Sequence, residues 1–169
     1  MSDNLAKVKH LIEEHRTIRG HVKLAGDSVT DQEALITLKG ARSDWTTDRQ
    51  EMLSEKQKKL QQAMNFLDEG LTNHFASEEE ALPALLGGLL MQSLLVEHRE
   101  IRRVLDDAKS IVTNTNLAGL SQEELVSKGS EIQQAVNSLC RLIEEHADKE
   151  DILLEMLRRV LTEKGRNNS

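Results

Sequence analysis

Leu11-Ile-Glu-Glu-His-Arg-Thr-Ile-Arg19 returns 83 residues later as Leu94-Leu-Val-Glu-His-Arg-Glu-Ile-Arg102, with the frame Glu-His-Arg-x-Ile-Arg in common. A second pair follows at a spacing of 72: Gln61-Gln-Ala-x-Asn-x-Leu, then His74-x3-Glu78, matches Gln133-Gln-Ala-x-Asn-x-Leu, then His146-x3-Glu150. The first and third repeated segments are copies, and so are the second and fourth. One αα-hairpin alone leaves its apolar face wet, so two copies predict an all-α, up-down-up-down four-helix bundle with a pseudo-two-fold αα-hairpin repeat.

Outward from these segments, the rest of the chain reads as helix. The first is expected from about Asn4 to Ala25, with Leu5, Val8, Leu11, Ile12, Ile18 and Val22 on one stripe and Gly26 ending it. A short helix from Asp31 to about Arg42 follows, opened by a Thr30/Glu33 capping box. The second long helix starts after Thr47, box-like with Gln50, and runs to about Ala81, where Pro83 stops it. The third spans about Leu89 to Val112. The fourth opens with a Ser121/Glu124 box and runs to about Lys164.

At 169 residues the chain amounts to about one domain at roughly 150 residues per domain. Residues 1–169 are therefore expected to form one domain, its bundle covering about 4–164 and a frayed polar tail 165–169. Net charge is −7, and Trp45, Phe66 and Phe75 are the only aromatics. That excludes most nucleic-acid recognition, which needs a basic footprint and stacking platforms, and disfavours an anionic membrane surface. The single Cys140 makes no intramolecular disulfide, and Met1 to His10 lacks an apolar signal core, so a cytoplasmic location is expected. Leu85, Leu86, Leu89 and Leu90 form an apolar connection that covers the bundle end or makes a dimer contact, leaving monomer and homodimer both open.

Four histidines occupy the repeated positions and fall inside the apolar stripes. His15 lies among Leu11, Ile12, Ile18 and Val22; His98 among Leu94, Leu95, Ile101 and Leu105; His74 among Leu67, Leu71 and Leu82; His146 among Leu139, Leu142, Ile143 and Leu153. In His-x3-Glu the carboxylate lies one turn along and about 40° round, so imidazole and carboxylate converge. A buried ionised carboxylate costs several kcal/mol unless it is paired or binds a metal. Only Arg19 and Arg102 share the stripes, and they read as partners of these carboxylates or as tuners of a metal. Four nitrogens and up to four oxygens make the ligand set of a two-metal site, with two histidines per metal and both glutamates bridging. Imidazole disfavours magnesium and calcium, and the lack of thiolates disfavours structural zinc, so iron or manganese is expected, with manganese or zinc as possible substitutes.

His15, His74-x3-Glu78, His98 and His146-x3-Glu150, in that order with Pro83 after the first pair, resemble the hemerythrin-like HHE cation-binding domain over about residues 5–160. The resemblance implies a hemerythrin-like bundle with metal ligands His15, His74, Glu78, His98, His146 and Glu150. They would hold two Fe ions as a non-haem di-iron centre with an oxo or hydroxo bridge. It further implies a dioxygen, nitric oxide or peroxide ligand. The function would lie in iron–sulfur cluster repair under oxidative or nitrosative stress, or in a carrier or sensor without turnover. Oxygen-carrying hemerythrins have a fifth histidine where this chain has Arg102, which counts against reversible carriage.

The other polar residues near the stripes receive plainer readings. His10 and His21 are expected in solvent, Glu79 and Asp151 on a solvated rim, and Cys140 as core filler, with Asp151 an alternative to Glu150. Gly70, where the repeat has Leu142, is expected to line an entrance for the small ligand.

Overall fold

The computed structural model describes residues 2–38 and 47–168 and contains four helices, α1 (Ser2–Leu38), α2 (Thr47–Ala81), α3 (Gly88–Asn114) and α4 (Gln122–Asn167). Each helix packs on the next and α4 closes against α1, completing a four-helix bundle. Among the described residues there is no strand, and no helix is long and apolar enough to cross a membrane.

α1 departs from the expected break at Gly26, because the stripe continues through it. Ala25, Val29, Gln32 and Ile36 are buried one turn apart, so tertiary burial outweighs the roughly 1 kcal/mol a mid-helix glycine costs. The Thr30 hydroxyl, instead of capping a new helix, donates to the Gly26 carbonyl at 2.9 Å, and Glu33 accepts from Gln133 of α4. The expected end at Arg42 and the Thr47 side chain lie outside the described residues.

The remaining boundaries follow local chemistry. α2 stops at Ala81, and the Leu85 and Leu86 amides donate to the Leu82 carbonyl in the turn after Pro83. Gln57 reaches from α2 to the end of α3 and donates to the Val112 and Thr115 carbonyls, at 3.0 and 2.6 Å, satisfying acceptors the helix leaves open. Gly119 takes φ +73° in the loop, a conformation that excludes most side chains. The Ser121/Glu124 capping box forms as expected. The polar tail beyond Lys164 is helical as far as Asn167, with Lys164 and Arg166 placed favourably against the C-terminal dipole.

The apolar interior is divided in two. A large cluster includes Ile18, Leu71, Phe75, Ile101, Leu139 and Ile143. A smaller one at the α2–α3 end comprises Val8, Leu11, Ala81, Leu82, Met91, Leu94 and Leu154. Between the two clusters lie His15 in α1, Glu78 in α2, His98 in α3, and His146, Ala147 and Glu150 in α4, with His74 beside Phe75 at the edge of the larger cluster.

Two glycines test this packing. An added Cβ at Gly20 meets nothing within 4 Å, whereas one at Gly129 falls 2.8 Å from Ile36 Cδ1 in the core. Gly20→Ala should stabilise the protein by up to about 1 kcal/mol in urea unfolding. Gly129→Ala should give no gain unless Ile36→Val is added, so a double-mutant cycle should report coupling between these two positions.

Candidate metal centre

The six repeated polar side chains meet in the middle of the bundle, and none is more than 5% exposed. His15 comes from α1, His74 and Glu78 from α2, His98 from α3, and His146 and Glu150 from α4. Each His-x3-Glu converges as one helical turn requires: His74 Nε2 is 2.6 Å from Glu78 Oε1, and His146 Nε2 touches Glu150 Oε1. Across the bundle, His98 Nε2 is 2.9 Å from Glu78 Oε2, and His15 Nε2 lies 3.5 Å from Glu78 and 3.9 Å from Glu150. The rings pair edge to face, His15 with His74 at 4.6 Å and His98 with His146 at 5.2 Å between centroids.

These close approaches are not hydrogen bonds. The four Nε2 atoms and all four carboxylate oxygens of Glu78 and Glu150 are shielded from solvent and have no hydrogen-bond partner. Each ionised carboxylate left so would cost several kcal/mol, more than the roughly 2 kcal/mol a buried leucine contributes in its place. A cation between them answers all eight. The atoms sort into two groups within 4.8 Å, His15, His74, Glu78 and Glu150, then Glu78, His98, His146 and Glu150, so both glutamates are common to two adjacent positions.

Electrostatics separate the two carboxylates. Burial alone would raise Glu78, but His15, His74 and His98 outweigh it and hold this carboxyl well below the usual range. Burial and the facing charge of Glu78 push Glu150 up to about 7 against the pull of His146. His15 is desolvated too, yet Glu78, Asp151 and Glu150 raise it to about 9. Loss of a cation from this layer would therefore be accompanied by proton uptake.

Behind the histidines stands a ring of acids. His15 Nδ1 donates to Asp151 at 2.6 Å, His146 Nδ1 to Glu97 at 2.7 Å and His98 Nδ1 to Glu79 at 3.3 Å, while Glu14 lies 3.8 Å from His74 Nδ1. The first three contacts turn their Nε2 atoms inward, as the outer hydrogen-bond partners of metal-bound histidines do, whereas His74 Nδ1 is buried without a hydrogen-bond partner. Asp151 and Glu79 were expected as a solvated rim; they sit at the surface but reach back to an imidazole of the neighbouring helix. Glu14 and Glu97 escaped the sequence reading, although the repeated Glu-His pair carries both. Asp151 stays outside the eight central atoms, which include Glu150 instead.

The arginines also differ from expectation. Arg19 bonds Asp151 at 2.7 Å and Asp148 at 2.8 Å rather than a central glutamate. Arg102 lies over the Phe75 ring, 5.3 Å from its centre, and Phe75 stacks on His98 at 3.9 Å. Phe75 corresponds in the repeat to Ala147, so the two halves are unlike beside the centre. Cys140 is half-buried core filler as expected, its Sγ donating to the Val22 carbonyl and its thiol pushed up to about 11 by burial. His10 is exposed and 3.2 Å from Glu14; His21 stacks on Phe66.

Compared with known families, residues 6–157 match the description Hemerythrin HHE cation binding domain. No curated protein and no solved structure matches the chain significantly.

The cost of the bare layer can be measured. The metal-free Glu150→Gln variant, which removes a carboxyl already inclined to hold its proton, should melt no lower than the metal-free parent by calorimetry. Added ferrous ion should raise the parent's melting temperature and leave that of Glu150→Gln unmoved.

Proposed function

Because the chain belongs to the hemerythrin HHE cation-binding domain family, we propose that it holds two iron ions through His15, His74, Glu78, His98, His146 and Glu150. The observation that carries the reading is the set of eight buried, unpartnered donor atoms in two groups sharing both glutamates. His15, His74, Glu78, His98, His146 and Glu150 would hold the ions, and the chemistry these would supply is binding or reduction of dioxygen, nitric oxide or peroxide. Service in iron–sulfur cluster repair or the stress response belongs to this reading.

The chain's own residues divide the remaining work. Asp151, Glu97 and Glu79 orient their imidazoles, and Arg19 and Lys149 pin Asp151 and Glu97 in turn, at 2.7 and 2.8 Å. Ile18, Leu71, Phe75, Ile101 and Ile143 keep one side of the layer dry, which strengthens each charge interaction inside it. At the position of the fifth hemerythrin histidine stands Arg102, which turns to Phe75 and would give an ion no further imidazole. That supports a reacting centre over a reversible oxygen carrier; a sensor without turnover is the second reading.

Protein expressed in iron-replete medium should contain two irons per chain, and its ferric form should give the Mössbauer signature of a magnetically coupled pair. Glu78→Ala and Glu150→Ala should lose most of this iron while His10→Ala retains it; equal retention in all three would sink the assignment. Stopped-flow mixing of the reduced protein with oxygen, peroxide and nitric oxide separates turnover from reversible binding.

A further inference from the structure

The repeat pairs the two halves of the centre residue by residue, and one difference falls on the histidines themselves. His15 and His74 face one cation position, His98 and His146 the other, and Glu78 and Glu150 serve both. Burial does not separate the pairs, since all four imidazoles are at most 5% exposed. The hold on the outer nitrogen does. Nδ1 of His98 donates to Glu79 at 3.3 Å, that of His146 to Glu97 at 2.7 Å and that of His15 to Asp151 at 2.6 Å. His74 Nδ1, alone among the four, is buried with no hydrogen-bond partner, and the carboxylate placed to receive it, Glu14, stops 3.8 Å away, beyond hydrogen-bonding reach.

The sequence accounts for this gap. Glu14 and Glu97 occupy the same position of the repeat, as do Ser77 and Lys149. Lys149 meets Glu97 Oε1 at 2.8 Å while Oε2 stays on His146. Ser77 brings no charge and gives its hydroxyl to the Asn73 carbonyl of its own helix at 3.0 Å, so α2 offers Glu14 no cation at that position; Glu14 Oε1 lies instead 3.2 Å from His10, one turn back on α1.

Packing differs in the same sense. Phe75 stands equally far from His74 and His146, at 6.2 and 6.1 Å between centroids, but it stacks on His98 at 3.9 Å. Its counterpart in the repeat is Ala147, and among the described residues His15 has one ring neighbour, His74. Leu142, one turn before His146, packs against the larger apolar cluster. Its counterpart Gly70 leaves a space taken by the His21 ring, which lies 3.1 Å from where a Cβ would stand.

An outer carboxylate fixes the ring and makes its inward nitrogen a better donor, and losing one lowers metal affinity by roughly 10–100-fold. We propose that the two cation positions are unequal. The position at His98 and His146 is the tighter, filling first and emptying last; the one at His15 and His74 is the weaker and exchangeable, and Glu97 is the positioning residue that makes the difference. This rests on the two-cation reading above, and the glutamates, shared by both positions, do not tell them apart.

Cobalt(II) added at one equivalent to the metal-free protein tests the order. Anomalous scattering from crystals should show the His98 and His146 position occupied about tenfold or more above the other, and a chelator added to the two-cobalt protein should remove the ion at His15 and His74 first. Glu97→Gln should weaken cobalt binding at the tighter position by roughly 10–100-fold, so that one equivalent divides between the two, whereas Glu14→Gln should leave both affinities within about twofold of the parent. A damaged fold would weaken both positions together, so a change confined to one distinguishes positioning from structure. Equal occupancy in the parent, a preference for His15 and His74, or equal losses in Glu97→Gln and Glu14→Gln would overturn the inequality while leaving two cations in place. The parent's occupancies decide the order even if a variant fails to fold. A parent that binds no cobalt would overturn the two-cation reading and this inference with it.

Discussion

Eight donor atoms without a hydrogen-bond partner lie between two apolar clusters, and the rest of the molecule is arranged around that unmet demand. Marginal stability of a protein this size amounts to about 5–15 kcal/mol. Two bare carboxylates would consume much of it, which is why protonation and the histidines share the load in the metal-free chain, and why a cation can replace both. α1 and α3 supply one of these donors each and α2 and α4 three each, so the layer also fixes their rotation and axial register against one another.

The acids outside the layer make the arrangement stiff. Asp151 ties α4 to His15 of α1, Glu97 ties α3 to His146 of α4, and Glu79 ties α2 to His98 of α3. Each contact crosses a helix seam and holds an imidazole of one helix from the next. Surface cations continue two of these links, Arg19 beyond Asp151 and Lys149 beyond Glu97, and connect the buried centre to the outside by side chains alone.

Much of this was legible in the sequence because the pattern appears twice. Repetition separated His15, His74, His98 and His146 from His10 and His21, and a spacing of four placed Glu78 and Glu150 with them. The outer acids were harder to read. Glu79 and Asp151 lie five positions after a histidine of their own helix, which faces them away from it, and their actual partners belong to another helix that only the folded bundle brings near. The same limit applies to Arg19, whose partners on α4 are more than a hundred residues away in sequence. Gly26 misled for a different reason: local propensity marks a stop, while the buried stripe through Val29 and Ile36 keeps α1 whole. Gly70 was legible as an anomaly of the repeat, but its neighbour His21 emerged only from the coordinates.

The division of the apolar interior has a mechanical meaning. Beyond the polar layer, the end carrying the α2–α3 turn is held by a cluster of seven buried residues with partly buried leucines packed around it, smaller than the cluster on the other side. A cation held in the layer would act as a rivet between that end and the larger body, and without it the smaller cluster alone would hold the tip. Cation occupancy would then be written into the stiffness of one end of the bundle, where Leu89 and Leu90 stand exposed.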